Sequence, residues 1–193
     1  MAKKSNDKAN ASGGANNTSM RLAYDDLRTW LAEADRLGEL KTVLGANWAE
    51  EIGMATELVS HSDKAPAVLF DDIPGVPKGF RVLANIFGGK RKNMTLGFPA
   101  ELDKVALSEA FSGAWDTDRL VPPVFVDSGP IFDNVITGDA VNVELFPTPK
   151  WHEGDGGRYI GTGSYNVTQD PDDGTLNVGT YRIMLHDKKH VTY

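Results

Sequence analysis

The chain has 193 residues, a formal net charge of −7 and a hydrophobic fraction of 40%. This composition is typical of a soluble globular protein, and the acidic balance argues against a general nucleic-acid binder, which usually needs a basic face. The absence of cysteine excludes disulfides, thiolate metal sites and cysteine nucleophiles. No apolar run approaches the roughly 18 residues that a membrane span needs, so we expect a cytoplasmic protein without a membrane span.

The first half of the sequence predicts a tail followed by a small α/β domain. Residues 1–20 are rich in Asn, Ser, Gly and Lys, which predicts a disordered tail rather than a secretory signal. Residues 21–120 form the predicted domain. Its first helix runs from about Asp26 to Leu37, because one apolar stripe repeats there at helical spacing. The core residues predicted from this stripe are Leu27, Trp30, Leu31 and Leu37.

Further elements follow in the same domain. A second helix is predicted over Glu50–Ser60, and short apolar runs at Ala67–Phe70 and Phe80–Ala84 favour buried strands. A third helix is predicted near Pro99, with Leu102, Val105 and Ala106 as its apolar stripe. The basic cluster Lys90–Lys92 is interpreted as a solvated turn, with a phosphate or partner contact as the alternative.

In residues 121–193, short strand-like runs alternate with turn residues and prolines. Two strand-like runs, Tyr159–Thr168 and Thr175–Leu185, flank the turn segment Gln169–Gly174, and this pattern predicts a hairpin. The last four residues look like the opening of another strand. We therefore expect a second domain that is cut short, with unpaired strand edges and exposed apolar surface.

Several segments carry a resemblance to one family. The run Asn177–Arg182 reads N-x-G-x-Y-R and is preceded by a distinctive run at Trp151–Ile160. Shorter matches occur at Arg36–Lys41, Val82–Gly88 and Leu145–Pro147. Together these segments resemble the UbiD family, the decarboxylases that depend on prenylated FMN. Each motif alone is weak, but matches spread along the whole chain make a chance resemblance improbable.

The resemblance implies a fold and a set of site residues. The implied fold is α+β, a small N-terminal α/β domain followed by the first strands of a split β-barrel flavin-binding domain. Asn177 would bind the metal that bridges to the cofactor phosphate, and the cofactor-binding residues would be Asn177, Thr180, Tyr181 and Arg182. Arg182 would also be the catalytic residue, orienting the substrate carboxylate beside the flavin.

The resemblance also implies cofactors and partners. These are prenylated FMN and a divalent metal, Mn²⁺, with K⁺ as a further cation, together with a prenyl-flavin synthase that supplies the flavin. The substrate would be an aromatic or α,β-unsaturated carboxylic acid and the assembly a homo-oligomer. The family's other metal ligands and acidic residues are not matched here, so the chain alone is expected to be inactive.

Two details of this site follow from geometry and spacing. Asn177 and Arg182 are five positions apart, so on a regular strand their side chains would point to opposite faces. For both to reach one cofactor, a bulge or a strong twist is predicted at Gly179, unless the backbone at 180–182 itself contacts the flavin. His190 is interpreted as a turn or strand histidine, and His61, His152 and His186 as structural.

Two other functions stay open at this point. The first is a catalytically silent UbiD-like subunit of a carboxylase complex. The second is an FMN-binding split-barrel relative of the flavin reductases, which would transfer hydride from a nicotinamide and release no CO₂.

Overall fold

The computed structural model describes residues 21–114 and 121–193, so the tail predicted at residues 1–20 lies outside the described residues. The described helices are α1 (Leu27–Arg36), α2 (Glu51–Ser60), α3 (Gly89–Thr95) and α4 (Lys104–Ala114). The strands are β1 (Leu40–Leu44), β2 (Ala67–Asp71), β3 (Val82–Ala84), β4 (Tyr159–Gly161), β5 (Tyr165–Gln169), β6 (Leu176–Thr180), β7 (Ile183–Leu185) and β8 (Val191–Thr192). None of the described helices is long and apolar enough to cross a bilayer.

The N-terminal part is built on a three-stranded sheet in the order β1-β2-β3. β1 and β2 are parallel and are connected through α2, whereas β2 and β3 are antiparallel. The predicted run Phe80–Ala84 becomes a strand only in its last three residues. β2 is central, which explains its uninterrupted apolar run and confirms the strand predicted there; its buried residues are Ala67, Val68, Leu69 and Phe70.

Helices cover both faces of this sheet, because successive side chains of a strand point to opposite sides. On one face, Val68 and Phe70 share a core cluster with Ile52 of α2. On the other face, Ala67 joins a cluster with Trp30 of α1. The N-terminal part therefore has the α/β layering that the sequence predicts.

α1 confirms the first predicted helix and corrects one of its core residues. Asp26 caps the helix, since its carboxylate accepts two backbone N–H groups of the first turn. Trp30 is 2% exposed, and Leu31 and Leu37 pack partly buried against its cluster. Leu27 is 57% exposed, so its predicted core position is wrong. Leu27 is the first residue of the helix, and the buried contacts begin one turn later.

α3 stands where the sequence predicted a solvated turn at Lys90–Lys92, and that prediction is wrong. Arg91 lies in this helix and is 0% exposed. Its guanidinium donates to the Glu39 carboxylate at 2.6 Å and to the backbone carbonyls of Ala65 and Asn85. The local pattern could not show this burial, because Glu39 lies 52 residues away along the chain.

α4 begins later than the helix predicted near Pro99. The Asp103 carboxylate accepts backbone N–H groups of the first helical turn and so fixes the start of the helix. Leu107 is its buried residue, whereas Val105 is 68% exposed. The inner face is thus rotated from the predicted stripe, and the placement of Val105 on that face is wrong.

The C-terminal part contains two small antiparallel sheets. Residues 121–158 contain three short 3₁₀ helices, at Pro130–Phe132, Gly138–Ala140 and Val143–Leu145. After them, β4, β7 and β8 make one sheet in the order β4-β7-β8. β5 and β6 make a separate two-stranded sheet, which confirms the predicted hairpin around Gln169–Gly174. Each predicted long strand is therefore divided between two sheets. The mixed α+β class is confirmed, and the split β-barrel stays a prediction.

The bulge predicted at Gly179 is absent. β6 pairs with β5 in regular register along its whole length, through Gly179 to Thr180. The chain leaves this sheet at Tyr181 and enters the other sheet at β7, so the strand is interrupted rather than bulged. A register shift does occur in the neighbouring strand β4, between Tyr159 and Gly161.

The β5–β6 sheet presents one exposed apolar face. Its four large apolar side chains are 60–81% exposed, and they are Tyr165, Val167, Leu176 and Val178. The exposed apolar surface expected in this part of the chain is therefore present.

Candidate functional site

An open cleft of about 970 Å³ lies between the N-terminal part and the sheet that contains β4 and β7. One wall comes from α2 and from the segment around β3, and it consists of Gly53, Thr56, Glu57 and residues 81–87. The other wall consists of residues 146–149, Trp151, His152, residues 159–164 and Arg182. Of the predicted site residues, Arg182 alone lines this cleft.

Close contacts beside the cleft hold the two walls together, and we call the contacts among Trp48, Gly53, Lys150, Trp151 and Arg158 the seam. Gly53 of α2 lies against the Trp151 carbonyl so closely that a Cβ at this glycine would overlap the oxygen. The backbone N–H of Lys150 donates to the Trp48 carbonyl at 2.9 Å. The Arg158 guanidinium lies 4.1 Å from the centre of the Trp48 ring. These contacts fix the position of the C-terminal wall on the N-terminal core.

Arg182 lies just before β7 and is held on two sides. Its Nη1 and Nη2 each donate to one carboxylate oxygen of Asp155 at 3.0 Å. Its guanidinium carbon lies 3.7 Å from the centre of the Tyr159 ring, which is a cation–π contact. The hydrogen bonds from Arg182 hold the pKa of Asp155 below its usual range, and the same pair raises the pKa of Arg182. The site therefore contains a charged and oriented guanidinium.

One edge of this guanidinium remains available to a ligand. The contact with Asp155 uses one N–H of Nη1 and one of Nη2, whereas a guanidinium carries five N–H donors. The Arg182 side chain is 43% exposed. The edge formed by Nε and the neighbouring Nη can donate two parallel hydrogen bonds to a second carboxylate.

Thr180 and Tyr181 lie outside the residues that line the cleft. Thr180 ends β6, where it pairs with Tyr165 of β5. The Tyr181 ring lies over Gly179, where a Cβ would overlap the ring atoms. The space beside Gly179 is thus occupied by the side chain of Tyr181.

Asn177 is also outside the residues that line the cleft. It is exposed on β6, and its Nδ2 donates weakly to Thr168 Oγ1 at 3.4 Å. β6 is regular through Asn177, and Asn177 does not line the cleft that Arg182 lines. Among the described residues, no group of three or more His, Asp or Glu could hold a metal ion. Asn177 therefore belongs to no such group among the described residues.

His190 lies in the turn between β7 and β8. Its Nδ1 is 2.8 Å from an oxygen of Asp187, three residues earlier. This contact agrees with its interpretation as a turn histidine.

The sequence reasoning missed four residues of this site. Asp155 and Tyr159, the two partners of Arg182, belong to the quoted run at residues 151–160, but no spacing rule pairs Arg182 with a carboxylate 27 residues earlier. Thr148 and Ser164 line the cleft and have buried hydroxyls without a hydrogen-bond partner. No sequence signal marks them, since Ser and Thr are ordinary residues of turns and loops.

Two family models match the chain. Residues 31–110 match the 3-octaprenyl-4-hydroxybenzoate carboxy-lyase N-terminal domain, and residues 124–193 match the Rift-related domain of the same carboxy-lyase. The cleft lies between these two matched segments, and Arg182 belongs to the second.

Among curated relatives, a phenolic acid decarboxylase of Bacillus subtilis is 32% identical over 174 residues, which are 86% of this chain and 36% of the relative. A pyrrole-2-carboxylic acid decarboxylase of Pseudomonas aeruginosa is 33% identical over 177 residues, covering 84% of this chain and 34% of the relative. The chain therefore spans about a third of the length of these relatives.

Solved structures show the same likeness. The vanillic acid decarboxylase of Sedimentibacter hydroxybenzoicus in an open form has a TM-score of 0.75 and 32% identity, covering 87% of this chain and 37% of that chain. An evolved dimeric form of the UbiD-class enzyme HmfF from Pelotomaculum thermopropionicum, in complex with prFMN, has a TM-score of 0.65 and 26% identity, covering 86% of this chain and 37% of that chain. The chain belongs to the UbiD family.

Proposed function

We propose that this chain carries the carboxylate-binding part of a decarboxylase that acts on an aromatic or α,β-unsaturated carboxylic acid. The relatives named above are decarboxylases of phenolic, vanillic and pyrrole-2-carboxylic acids, which supports an aromatic acid as substrate. The observation that carries the proposal is Arg182, a guanidinium that is oriented by Asp155, stacked on Tyr159, 43% exposed and part of the cleft lining.

Arg182 would bind the carboxylate of the substrate through its Nε edge. Two parallel charge-assisted hydrogen bonds fix both the position and the plane of a carboxylate, which is the orientation that the breaking C–C bond needs. Asp155 would keep the guanidinium from turning away, and the Tyr159 ring would hold it from below. The apolar rings on the cleft walls, Phe87, Phe146 and Trp151, would contact the ring of the substrate and exclude water.

We propose prenylated FMN as the cofactor, since a similar structure contains prFMN. When bound, this flavin supplies the electron sink for the electrons of the breaking bond. The backbone at Thr180, Tyr181 and Arg182 would contact it, because the chain leaves the β5–β6 ladder at this point. Arg182, which lines the cleft, and this backbone segment are the described parts of the chain that we propose would hold the flavin.

Fewer of the described residues would bind the proposed metal, Mn²⁺ with K⁺ as a further cation. Asn177 would give one oxygen to a cation that neutralises the flavin phosphate. The described residues hold no three-residue cluster of His, Asp or Glu beside it, so we derive no step through a metal.

A homo-oligomer is proposed as the assembly, because a dimeric form is known for a similar enzyme.

The test is a reaction assay on the full-length natural protein, co-expressed with a prenyl-flavin synthase. CO₂ release is measured over a panel of aromatic and α,β-unsaturated acids, beside flavin absorbance. The proposal predicts a bound flavin and CO₂ release from at least one aromatic acid. A bound flavin without CO₂ release from any acid would favour a silent subunit. Oxidation of a nicotinamide without CO₂ release would favour a flavin reductase.

A further inference from the structure

A second open cleft, of about 750 Å³, lies in the N-terminal part of the chain and shares no lining residue with the cleft that contains Arg182. We call it the lysine cleft. Of the nine lysines among the described residues, five line it, and they are Lys41, Lys64, Lys90, Lys92 and Lys104. The other four are Lys78, Lys150, Lys188 and Lys189. More than half of these lysines therefore meet at one cleft of a chain whose net charge is −7.

The lysines of this cleft come from elements that are distant along the sequence. Lys41 lies in β1 and Lys64 follows α2. Lys90 and Lys92 lie in α3, and Lys104 begins α4. Like charges that the fold brings together repel one another, and an anion bound among them removes this repulsion. The fold, rather than one basic run of the sequence, thus creates a surface that favours an anion.

The unpaired charge of the lysine cleft is mainly positive. Of its five lysines, only Lys90 has an ion-pair partner among the described residues, Glu101 at 2.8 Å. The carboxylates of the cleft are better satisfied, since Glu39 forms an ion pair inside the fold and Asp103 accepts backbone N–H groups of α4. Four unpaired lysines therefore share the cleft with one carboxylate that lacks a partner among the described residues, Asp63.

Two buried polar side chains of α3 hold the backbone around the lysine cleft in place. Arg91 donates to the Glu39 carboxylate at 2.6 Å and so connects α3 to the residue before β1. Asn93 donates through Nδ2 to the carbonyls of Ala100 at 3.1 Å and Leu102 at 2.8 Å, which connects α3 to the loop before α4. The elements that carry the lysines are thus fixed relative to one another, while the exposed lysine side chains can adjust to a ligand.

We propose that the lysine cleft binds a di- or triphosphate group, at a site separate from the proposed decarboxylation. A lysine ammonium is a compact point charge that binds phosphate without the planar fork that selects a carboxylate. Several lysines together favour the anion with the highest charge. The cleft has the volume of a small-molecule site, and Asp63 and Glu101 interrupt its positive surface, which disfavours an extended nucleic acid. The ligand is thus a free polyphosphate or the diphosphate part of a nucleotide.

The test is calorimetric titration of the full-length natural protein with inorganic phosphate, diphosphate and triphosphate at low ionic strength. We expect affinity to rise with the charge of the anion and to fall with added salt. Lys64→Gln and Lys92→Gln should each weaken triphosphate binding by about three- to tenfold, because each removes one attractive charge. Glu101→Gln, which frees Lys90, should strengthen it by a similar factor. The control is Lys78→Gln, an exposed lysine outside the cleft that changes the net charge equally and should have no effect.

Three outcomes would overturn this inference, and none of them bears on CO₂ release. They are no binding of diphosphate or triphosphate, equal weakening by Lys78→Gln and the cleft variants, and binding that Arg182→Ala abolishes while the cleft variants retain it. Adenosine diphosphate that binds more tightly than inorganic diphosphate assigns a nucleotide as the source, and weaker binding assigns a free polyphosphate. Circular dichroism checks that each variant is folded. Because Lys64 and Lys92 lie on different elements, either variant decides the question if the other unfolds.

Discussion

Arg91 and Arg182 each pair with one carboxylate, and their surroundings decide what each can do. Arg91 is 0% exposed and donates to Glu39 and to backbone carbonyls, so no ligand can reach it. Its burial lowers the pKa of its guanidinium, the cost of removing a charge from water. Arg182 is 43% exposed and lines the cleft. The first arginine is structural, and the second is available for chemistry.

The buried pair gives the first prediction at this scale. Glu39→Ala should destabilise the fold by about 3 kcal/mol, because it leaves the Arg91 charge buried without its counter-ion. The matched control is Glu101→Ala, which breaks the exposed pair with Lys90 and should change stability little. Urea unfolding of both variants is the measurement. Equal effects of the two substitutions would show that Arg91 needs no counter-ion.

The pair of Asp155 and Arg182 gives a prediction about pH. The pKa of Asp155 is lowered in the folded chain, chiefly by the hydrogen bonds from Arg182. Its contribution to stability is therefore fully present above the ordinary carboxyl pKa of about 3.9 and is lost as the pH falls through the folded value. We expect Asp155→Asn to be less stable than the unchanged chain at pH 6, with the difference shrinking towards pH 3. A difference that stays constant over this range would mean that the carboxylate charge is not what holds Arg182.

At the scale of the elements, the seam between α2 and the segment at Lys150–Trp151 positions the cleft. Gly53→Ala would place a Cβ on the Trp151 carbonyl, and a backbone atom cannot rotate away as a side chain can. We expect a loss of about 1–3 kcal/mol from this overpacking. Gly113→Ala in α4 is the control, since it meets open space and should be neutral or slightly stabilising.

Thermal unfolding of the two alanine variants checks this prediction. Calorimetric titration with benzoate shows in addition whether the cleft has moved. If Gly53→Ala is as stable as Gly113→Ala and binds benzoate unchanged, the seam does not position the C-terminal wall.

Whether an element can be predicted from the sequence depends on whether the residues that it contacts are close to it along the chain. α1, α2 and β2 could be predicted, because their apolar spacing is local, as is the Asp26 cap of α1. α3 was missed, because its buried residues include Arg91 and Asn93. Arg91 is paired with the distant Glu39, and the Asn93 amide donates to backbone carbonyls of the following loop, which no apolar periodicity reveals. The strands around Tyr181 were predicted too long, since the point where a chain changes sheets is set by pairing rather than by composition.

The same reasoning applies to the candidate site. Motif resemblance selected Arg182, which the structure places in a cleft. It could not supply Asp155, because its role arises from a contact across the fold. The roles of Asn177, Thr180 and Tyr181 stay predictions, since these residues lie outside the lining of the cleft.

At the scale of the whole molecule, the chain brings two matched segments of one family around a single cleft. The N-terminal sheet and its two cores give a rigid base, and the seam at Gly53 carries this rigidity to the wall that holds Arg182. The exposed apolar face of the β5–β6 sheet lies apart from the residues of the seam. The proposed carboxylate site therefore lies at the junction of the two parts rather than within either one.

The most direct test of this account is CO₂ release by Arg182 variants of the full-length natural protein, measured beside flavin absorbance per mole of protein. We predict that Arg182→Ala retains most of the flavin and loses decarboxylation, because the carboxylate loses its paired hydrogen bonds. Arg182→Lys should restore little, since an ammonium lacks the bidentate geometry. Near-normal turnover of Arg182→Ala would contradict the account and make Arg182 a structural arginine, like Arg91.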